Sequence, residues 1–429
     1  MINFNNLVRD LKVELSNYLL GNILVNVDRK TTKFVYDMVW GILSSGSSKI
    51  SKIGRYLFEK NIHVTENRLT KNLIEINLEL VKENYWNFIF KREAKTNPNI
   101  LIDETDIAKP FGHVFEGLFF IHDGSKEGKP REKGFPVTGI VTLTDDNFIL
   151  PLVTNIYSTQ IAGYKSVGLE TKRHLDKIFK SIKIPETTTL SFDRGYDGSL
   201  YAEYIRERQQ FYVIRAKEMR KYTTKHGVFN ISQLFERYKG KYEFTYKNKQ
   251  GITIHAKASA VEVTHKDFKE KFWIIVETIF CENDARAYLT NIDCSTKEGI
   301  IKALKAYRLR WRIEEYFRFI KQEYELEKYM IRSLAATNNL FFCINICVSF
   351  LTHIIQCNKN LWSRIREVYQ PLTDFEKEEM IEKKYGYHGI DLYRAKEGIR
   401  MILGHTKGRP NIPGRCRKQK FEQMNIFNQ

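Results

Sequence analysis

Tyr307-Arg308-Leu309-Arg310-Trp311-Arg312-Ile313-Glu314-Glu315-Tyr316-Phe317-Arg318-Phe319-Ile320-Lys321 has a helical period and a pattern of charge that a plain surface helix does not need. At about 100° per residue, Arg310, Glu314 and Lys321 fall at about −60°, −20° and −40° from Tyr307, on one narrow stripe. Leu309, Ile313, Phe317 and Ile320 take the neighbouring face, from about −160° to −80°, and are expected to pack on a sheet. One face then anchors the helix while the next presents an acid flanked by cations and a phenol. An acid for a metal and cations for phosphate are what phosphoryl transfer on a nucleic acid asks for. An amphipathic helix with solvated charges would carry the same residues by chance, so the reading needs partners elsewhere.

Two aspartates supply candidates. Asp103 follows the apolar run Ile100-Leu101-Ile102, and Asp193 follows Leu190-Ser191-Phe192, each at the expected C-terminal end of a strand. Strand ends hold side-chain direction well, as a metal site requires. Mg²⁺ prefers carboxylate oxygens and keeps several waters, so two or three acids suffice. Two such ions about 4 Å apart activate one oxygen and stabilise the other. Aspartates also open turns, and Asp193 stands before Arg194-Gly195-Tyr196-Asp197, so a turn role remains open for it. Asp106, three residues beyond Asp103, is a competing acid.

Around these acids the chain changes character by region. Residues 1–95 read as helical. Ser47 to Lys60 holds Ile50, Ile53 and Leu57 at helical spacing, and after a break Thr65 reads as the N-cap of a second helix with Leu69, Leu73 and Ile76 inward. Asn67, Arg68, Lys71 and Asn72 would face outward. That suits a helix-turn-helix DNA reader, and a plain bundle equally well. Strands are expected at 99–102, 113–122, 135–143, 148–156, 189–192 and 211–214, with helices at 166–182 and near 198–209. The domain reading is a core in two parts, 96–217 and 297–356, interrupted by a β-rich insertion at 218–296 and followed by a helical region at 357–429. Lys407 to Lys420 holds six basic residues and no acid, and reads either as an extended phosphate-binding segment or as a solvated tail.

Composition narrows the partner. Sixty-nine Lys and Arg against 51 Asp and Glu give a net charge of +18, which favours a polyanion. The six cysteines lack the paired spacing of a zinc ribbon and the density of a disulfide scaffold. Cys343 and Cys347 read as core thiols, in keeping with a reducing cytoplasm. Met1 to Asn6 shows no secretory signal. Leu340 to Ile355, broken by Asn345, Ser349, Thr352 and His353, reads as a core helix too short to span a bilayer.

The spacing Tyr-x2-Arg-x3-Glu-x6-Lys, met here by Tyr307, Arg310, Glu314 and Lys321, resembles the signature of the insertion-sequence transposases of the IS-four type, in the RNase H-like, retroviral-integrase superfamily. The string Trp311-Arg312-Ile313-Glu314-Glu315 adds to the resemblance. Asp103-Glu104-Thr105 and Asp193-Arg194 are similar to the family's two aspartate motifs, and the likeness spans roughly residues 99 to 355. It implies an α/β, RNase H-like catalytic core with the insertion placed before the Glu-bearing helix. It also implies Asp103, Asp193 and Glu314 as metal-binding catalytic acids for two Mg²⁺, with Mn²⁺ as a substitute. The implied chemistry is hydrolysis at the element's ends, then attack of the freed 3′-OH on target DNA. Tyr307, Arg310 and Lys321 would hold terminal phosphates, with Arg318 on the same helix and Arg215 and Lys217 past the 211–214 strand as further DNA contacts. The implied partners are the terminal inverted repeats, target DNA and a second copy of the chain in a synaptic homodimer, in a bacterial cytoplasm with no membrane. Relatives often pass through a hairpin intermediate, and the best-studied of them stacks a tryptophan of the preceding strand on a flipped base. Asp284 to Ile292 has no tryptophan, and Tyr288 is its large aromatic.

Competing readings are a stand-alone RNase H-like nuclease, a domesticated DNA-binding protein that has lost chemistry, and a glycosidase. A DNA-binding N-terminal region and a basic helical C-terminal part argue against the first, the presence of all three acids against the second, and the Arg-Lys stripe against the third.

Overall fold

Ile100, Leu101 and Ile102 have no exposed surface, and the strand that contains them organises the molecule. The computed structural model describes residues 4–57, 61–122, 131–238, 240–248, 251–268, 270–280, 285–369, 387–404 and 406, so Lys407–Lys420 lies outside the described residues. Strand β1 (Asn99–Ala108) pairs antiparallel with β3 (Arg131–Leu143), which pairs with β4 (Ile149–Ile156). On its other side β1 runs parallel to β5 (Thr189–Phe192), which runs parallel to β6 (Phe211–Arg215). The order β4-β3-β1-β5-β6, three antiparallel strands followed by two parallel ones, is the RNase H-like sheet. A short β2 (Phe119–His122) lies on the far part of β3, so the strand expected over 113–122 occupies only its last residues.

The sheet does not end at β6. Beyond a β7–β8 hairpin (Lys221–Thr224 and Gly227–Asn230), strands β9 (Tyr242–Lys247), β10 (Thr253–Val263), β11 (Phe272–Ile279) and β12 (Ala285–Thr290) form a meander. Its last strand pairs with β6, so one ten-stranded sheet runs through the RNase H-like strands and the meander.

Helices cover the sheet. Among the described residues they are α1 (Phe4–Tyr18), α2 (Arg29–Ser45), α3 (Ile50–Arg55), α4 (Ile62–Glu75), α5 (Glu79–Phe88), α6 (Val167–Ser181), α7 (Ser199–Arg206), α8 (Ile231–Arg237), α9 (Lys297–Arg308), α10 (Trp311–Glu323), α11 (Leu334–Cys357), α12 (Lys359–Tyr369) and α13 (Tyr387–Gly404). At 24 residues α11 is longer than the sequence suggested, and it is long and apolar enough to cross a membrane. Its most apolar window is 83% buried, packed against β4, α2, α4, α12 and α13. It also covers the exposed edge of β4. The Asn338 side chain donates to the Ile156 carbonyl and accepts from the Ile156 amide, and Trp86 on α5 donates to the Leu152 carbonyl at 2.9 Å. An edge that would otherwise offer open hydrogen bonds is thereby closed by side chains.

The N-terminal helices differ from expectation in detail. The first of the expected pair, α3, spans six residues, and α4 begins at Ile62 rather than after Thr65. Asn61 takes the cap because its side chain accepts from the amides of His63 and Val64. The Thr65 hydroxyl instead donates back to the Asn61 carbonyl. Of the four residues expected to face outward, Asn67 and Lys71 are exposed. Arg68 turns inward to the fully buried Asp37 carboxylate at 2.9 Å, and Asn72 is buried. Half of that face is therefore committed to the core.

Candidate active site

The parallel register brings the two aspartates together. Pairing runs to Ile102 opposite Phe192 and Phe192 opposite Ile214, so the next residues, Asp103, Asp193 and Arg215, form one row across β1, β5 and β6. Antiparallel pairing extends the row with Gly139 on β3 opposite Asp103 and Tyr288 on β12 opposite Arg215. Side chains in one row leave the sheet on one face. That face carries α9 and α10. Asp103 is not at a strand end as expected, because β1 continues five residues to Ala108. It stands where the parallel pairing with β5 ends, which leaves its carboxylate on an open step of the sheet.

Asp106 lies on the opposite face from Asp103, with Glu104. Burial raises the Glu104 carboxyl to about 7, helped by Asp103 and Asp106 and opposed by the hydrogen bond from the Tyr157 hydroxyl at 3.1 Å. A carboxyl held above its ordinary value of 4.5 binds its proton more tightly in the folded state, so it costs stability as pH rises through the interval to about 7. Glu104→Gln is expected to be the more stable protein at pH 8 by on the order of 1–2 kcal/mol, with the gap closing toward pH 4.5. Urea midpoints at the two pH values measure this, and equal midpoints at pH 8 would refute the burial argument.

The helix carrying the third acid is broken where continuity was expected. α9 ends at Arg308 and α10 begins at Trp311. Between them the chain closes tightly: the Arg310, Arg312 and Ile313 amides donate to the carbonyls of Tyr307, Leu309 and Arg310, each three residues back. Such a turn keeps residues three apart on one side, so Tyr307 and Arg310 still share a face. Glu314 follows within the first turn of α10. Ile313, Phe317 and Ile320 are buried as expected, and Leu309 packs at the margin. The Tyr316 hydroxyl meets that of Thr154 on β4 at 2.6 Å, pinning α10 to the sheet.

Gly139 sets how closely α10 approaches. A Cβ there would overlap the ring of Phe317 and touch Ile313. Gly139→Val is expected to cost about 1–3 kcal/mol of stability by overpacking. Because α10 carries Glu314, activity should fall further than stability does. Adding Phe317→Ala, which empties the space, should restore part of both, and additive losses in the double variant would exclude the contact.

Three carboxylates from three elements meet at one guanidinium. Arg310 binds Asp103 through Nη1 and Glu314 through Nη2 at 2.8 Å, with Asp193 4.0 Å from Nη2. Asp103 is the sheltered member, and Asp193 and Glu314 are about two-fifths exposed. Burial raises the Asp103 carboxyl to about 6, with Arg310 pulling the other way. Burial would also discharge Arg310, but Asp103, then Tyr307, Glu314 and Asp193, hold it charged. The other Asp103 oxygen accepts from the Glu104 amide at 2.9 Å. Asp193 precedes a 3₁₀ turn, Arg194–Tyr196, without capping it through its side chain. The turn is braced instead by buried Asp197, which accepts from the Lys217 amide at 2.7 Å and lies beside Arg220. Asp193 is thus not the residue that holds its own turn.

Tyr307 is packed beside this group, 4.6 Å from the Tyr288 ring, with the Arg310 guanidinium 5.7 Å from its own ring. Tyr288 is nearly fully buried, and its hydroxyl donates to buried Glu277 at 2.9 Å. It is locked in place rather than offered to a base. Glu277 also binds Arg308, whose guanidinium lies 3.6 Å from the Tyr246 ring. The meander thereby braces the end of α9. Arg215 is half-buried in the acid row. Lys217 and Arg318 are exposed nearby, and Lys321 lies about two turns beyond Glu314 on α10. Gly139, Asp197, Glu277 and Arg308 escaped the sequence reading. Arg308, inside the Tyr307–Lys321 stretch, and Asp197, inside the turn after Asp193, are the two that lie in stretches with any sequence signal.

An RNase H-like sheet with three acids converging at the centre of its helix-covered face defines a class of nucleic-acid-processing enzymes. Residues 95–350 match the family described as Transposase DDE domain, and the chain belongs to that family of DNA-cleaving, strand-transferring enzymes. A cryo-EM structure of a piggyBac transposase synaptic complex with hairpin DNA is similar over 92% of this chain and 78% of that one, at 9% identity and a TM-score of 0.44. No curated protein sequence matches the chain.

Proposed function

We propose that this transposase is of the IS-four type and moves its element by cut and paste, cleaving DNA at the terminal inverted repeats and joining the freed 3′-OH to target DNA. The observation that carries the reading is the meeting of Asp103, Asp193 and Glu314 at Arg310. A set of carboxylate oxygens around a single cation suits Mg²⁺, and Mn²⁺ in its place, and would also serve a pair of ions. When bound, the metal supplies Lewis acidity and a nucleophilic oxygen.

The chain's own residues do the rest. The Asp103 carboxyl, raised by burial to about 6, is ionised at neutral pH and accepts from Arg310. Arg310 offers two terminal nitrogens in a geometry suited to a phosphate, and Tyr307 fixes its direction. Lys321 and Arg318 along α10, with Arg215 and Lys217 past β6, would extend the cationic track for the DNA backbone. Residues 1–95 and 357–429 are proposed as DNA-binding flanks of a core at 96–217 and 297–356, with 218–296 as the insertion. The working form would be a homodimer holding two ends, in a bacterial cytoplasm.

The test is a plasmid carrying the element's ends, a second target plasmid and Mg²⁺. Excision followed by insertion into the target is expected. Nicking without joining would favour a stand-alone nuclease instead.

A further inference from the structure

Outside the acid row, a second group of ligand-type side chains gathers where three helical segments meet. His353 and Cys357 stand four residues apart on α11, one turn, and so share a face. Glu93, at the end of the π-helical stretch Ile89–Glu93 that follows α5, reaches both. Its carboxylate lies 2.9 Å from His353 Nδ1 and 3.6 Å from Cys357 Sγ. The three ligand atoms lie within 4.8 Å of one another. On the far side of the ring, His353 Nε2 meets Glu14 of α1 at 2.8 Å, and the Asn358 side chain donates to that same carboxylate at 3.0 Å.

We propose that Glu93, His353 and Cys357 form a site for a borderline-soft divalent cation of the zinc class, with Glu14 as the positioning residue for His353. Ligand chemistry separates this site from the acid row. Thiolate and imidazole select zinc-like ions, whereas an all-carboxylate set selects magnesium-like ones. Tetrahedral zinc with bonds of about 2.0–2.3 Å needs ligand atoms roughly 3.3–3.8 Å apart, a small adjustment from the present spacing. A metal-bound histidine characteristically donates its other N–H to a carboxylate, the position Glu14 occupies. Glu93 is buried, while Cys357 is exposed and gives an ion a way in, with the fourth position left for water.

Without metal the ring sits between two carboxylates, Glu93 on Nδ1 and Glu14 on Nε2. A metal takes a bare imidazole nitrogen and a thiolate, so a proton held between Nδ1 and Glu93 and the proton of the Cys357 thiol leave to solvent as the ion enters, and no electrons move. The bound ion would join α11 to the segment after α5, with α1 held through Glu14, stapling the N-terminal helices to the core.

The probe is Co²⁺ added to the full-length chain with its thiols kept reduced. A near-ultraviolet thiolate-to-cobalt band is expected, displaced by Zn²⁺. Cys357→Ser should abolish the band and lower Zn²⁺ affinity more than tenfold, and Glu14→Gln should lower affinity about 10–100-fold with the band retained. Glu314→Gln should keep the band unchanged, since the acid row holds only oxygen ligands. This separates failure here from failure of the transposase reading. No band in the wild-type chain, or a band that survives in both Cys357→Ser and His353→Gln, overturns the proposal.

Discussion

Glu314→Gln should abolish metal-dependent cleavage of an end-containing duplex, a loss of about a thousandfold or more, while leaving the fold intact. The size follows from what the carboxylate is asked to do. Removing one charged ligand from a metal that stabilises a transferring phosphoryl group forfeits several kcal/mol of transition-state stabilisation, and each 1.36 kcal/mol is tenfold in rate. The fold survives because the Glu314 side chain is 40% exposed and Arg310 keeps Asp103 as a partner. Glu315 is the built-in control. It is buried with Arg312 at 2.9 Å, so Glu315→Gln should lower the melting temperature while the chemistry of the folded fraction persists. The two neighbours are thus expected to fail in opposite ways. Cleavage by Glu314→Gln at the wild-type rate, in Mg²⁺ or Mn²⁺, would remove Glu314 from the site.

Arg310→Gln carries the second large effect, with two opposite signs. In the free protein the guanidinium occupies the ground between three carboxylates and so competes with any other cation there. Removing it should tighten Mn²⁺ binding to the DNA-free protein by about tenfold or more, since one unit charge at this range is worth more than 1 kcal/mol near a protein surface. Cleavage should nevertheless fall by about a hundredfold or more, because the phosphate loses its bidentate partner. In chelator the variant should melt below wild type, since Asp103, Asp193 and Glu314 then face one another without a counter-charge, and Mg²⁺ should restore it. Calorimetric titration with Mn²⁺ decides the matter. Unchanged or weaker binding would mean that the guanidinium and the metal do not share a position.

The acid site was legible in the sequence to the extent that short-range periodicity specifies it. The stripe from Tyr307 to Lys321 singled out Glu314 and Arg310 as candidates because a helical turn is a local rule, and the structure keeps the two side chains together despite the break at Leu309–Arg310. What joined Asp103 to Asp193 was the register of two parallel strands some ninety residues apart, and no local pattern encodes that. The length of β1 beyond Asp103 was missed for a related reason: Glu104 to Ala108 mixes acids with apolar residues, and its strand pairing comes from β3. Gly139 could not have been singled out, since its meaning lies in the ring of Phe317 on another element. At the N-terminus, the pull of Asp37 turned Arg68 inward from a face that periodicity alone had placed outward.

The pairing of β12 with β6 also bears on modularity. An insertion built on its own sheet could be cut out, exchanged or shortened as a unit. Here, excision would strip the outer neighbour from Phe211–Arg215 and convert an interior strand into a bare edge, open to pairing with another chain. It would also remove Glu277, and with it the brace on Arg308 at the end of α9. A trimmed core is thus expected to aggregate before it loses chemistry, and a chimera would need to bring a strand of its own to lie beside β6.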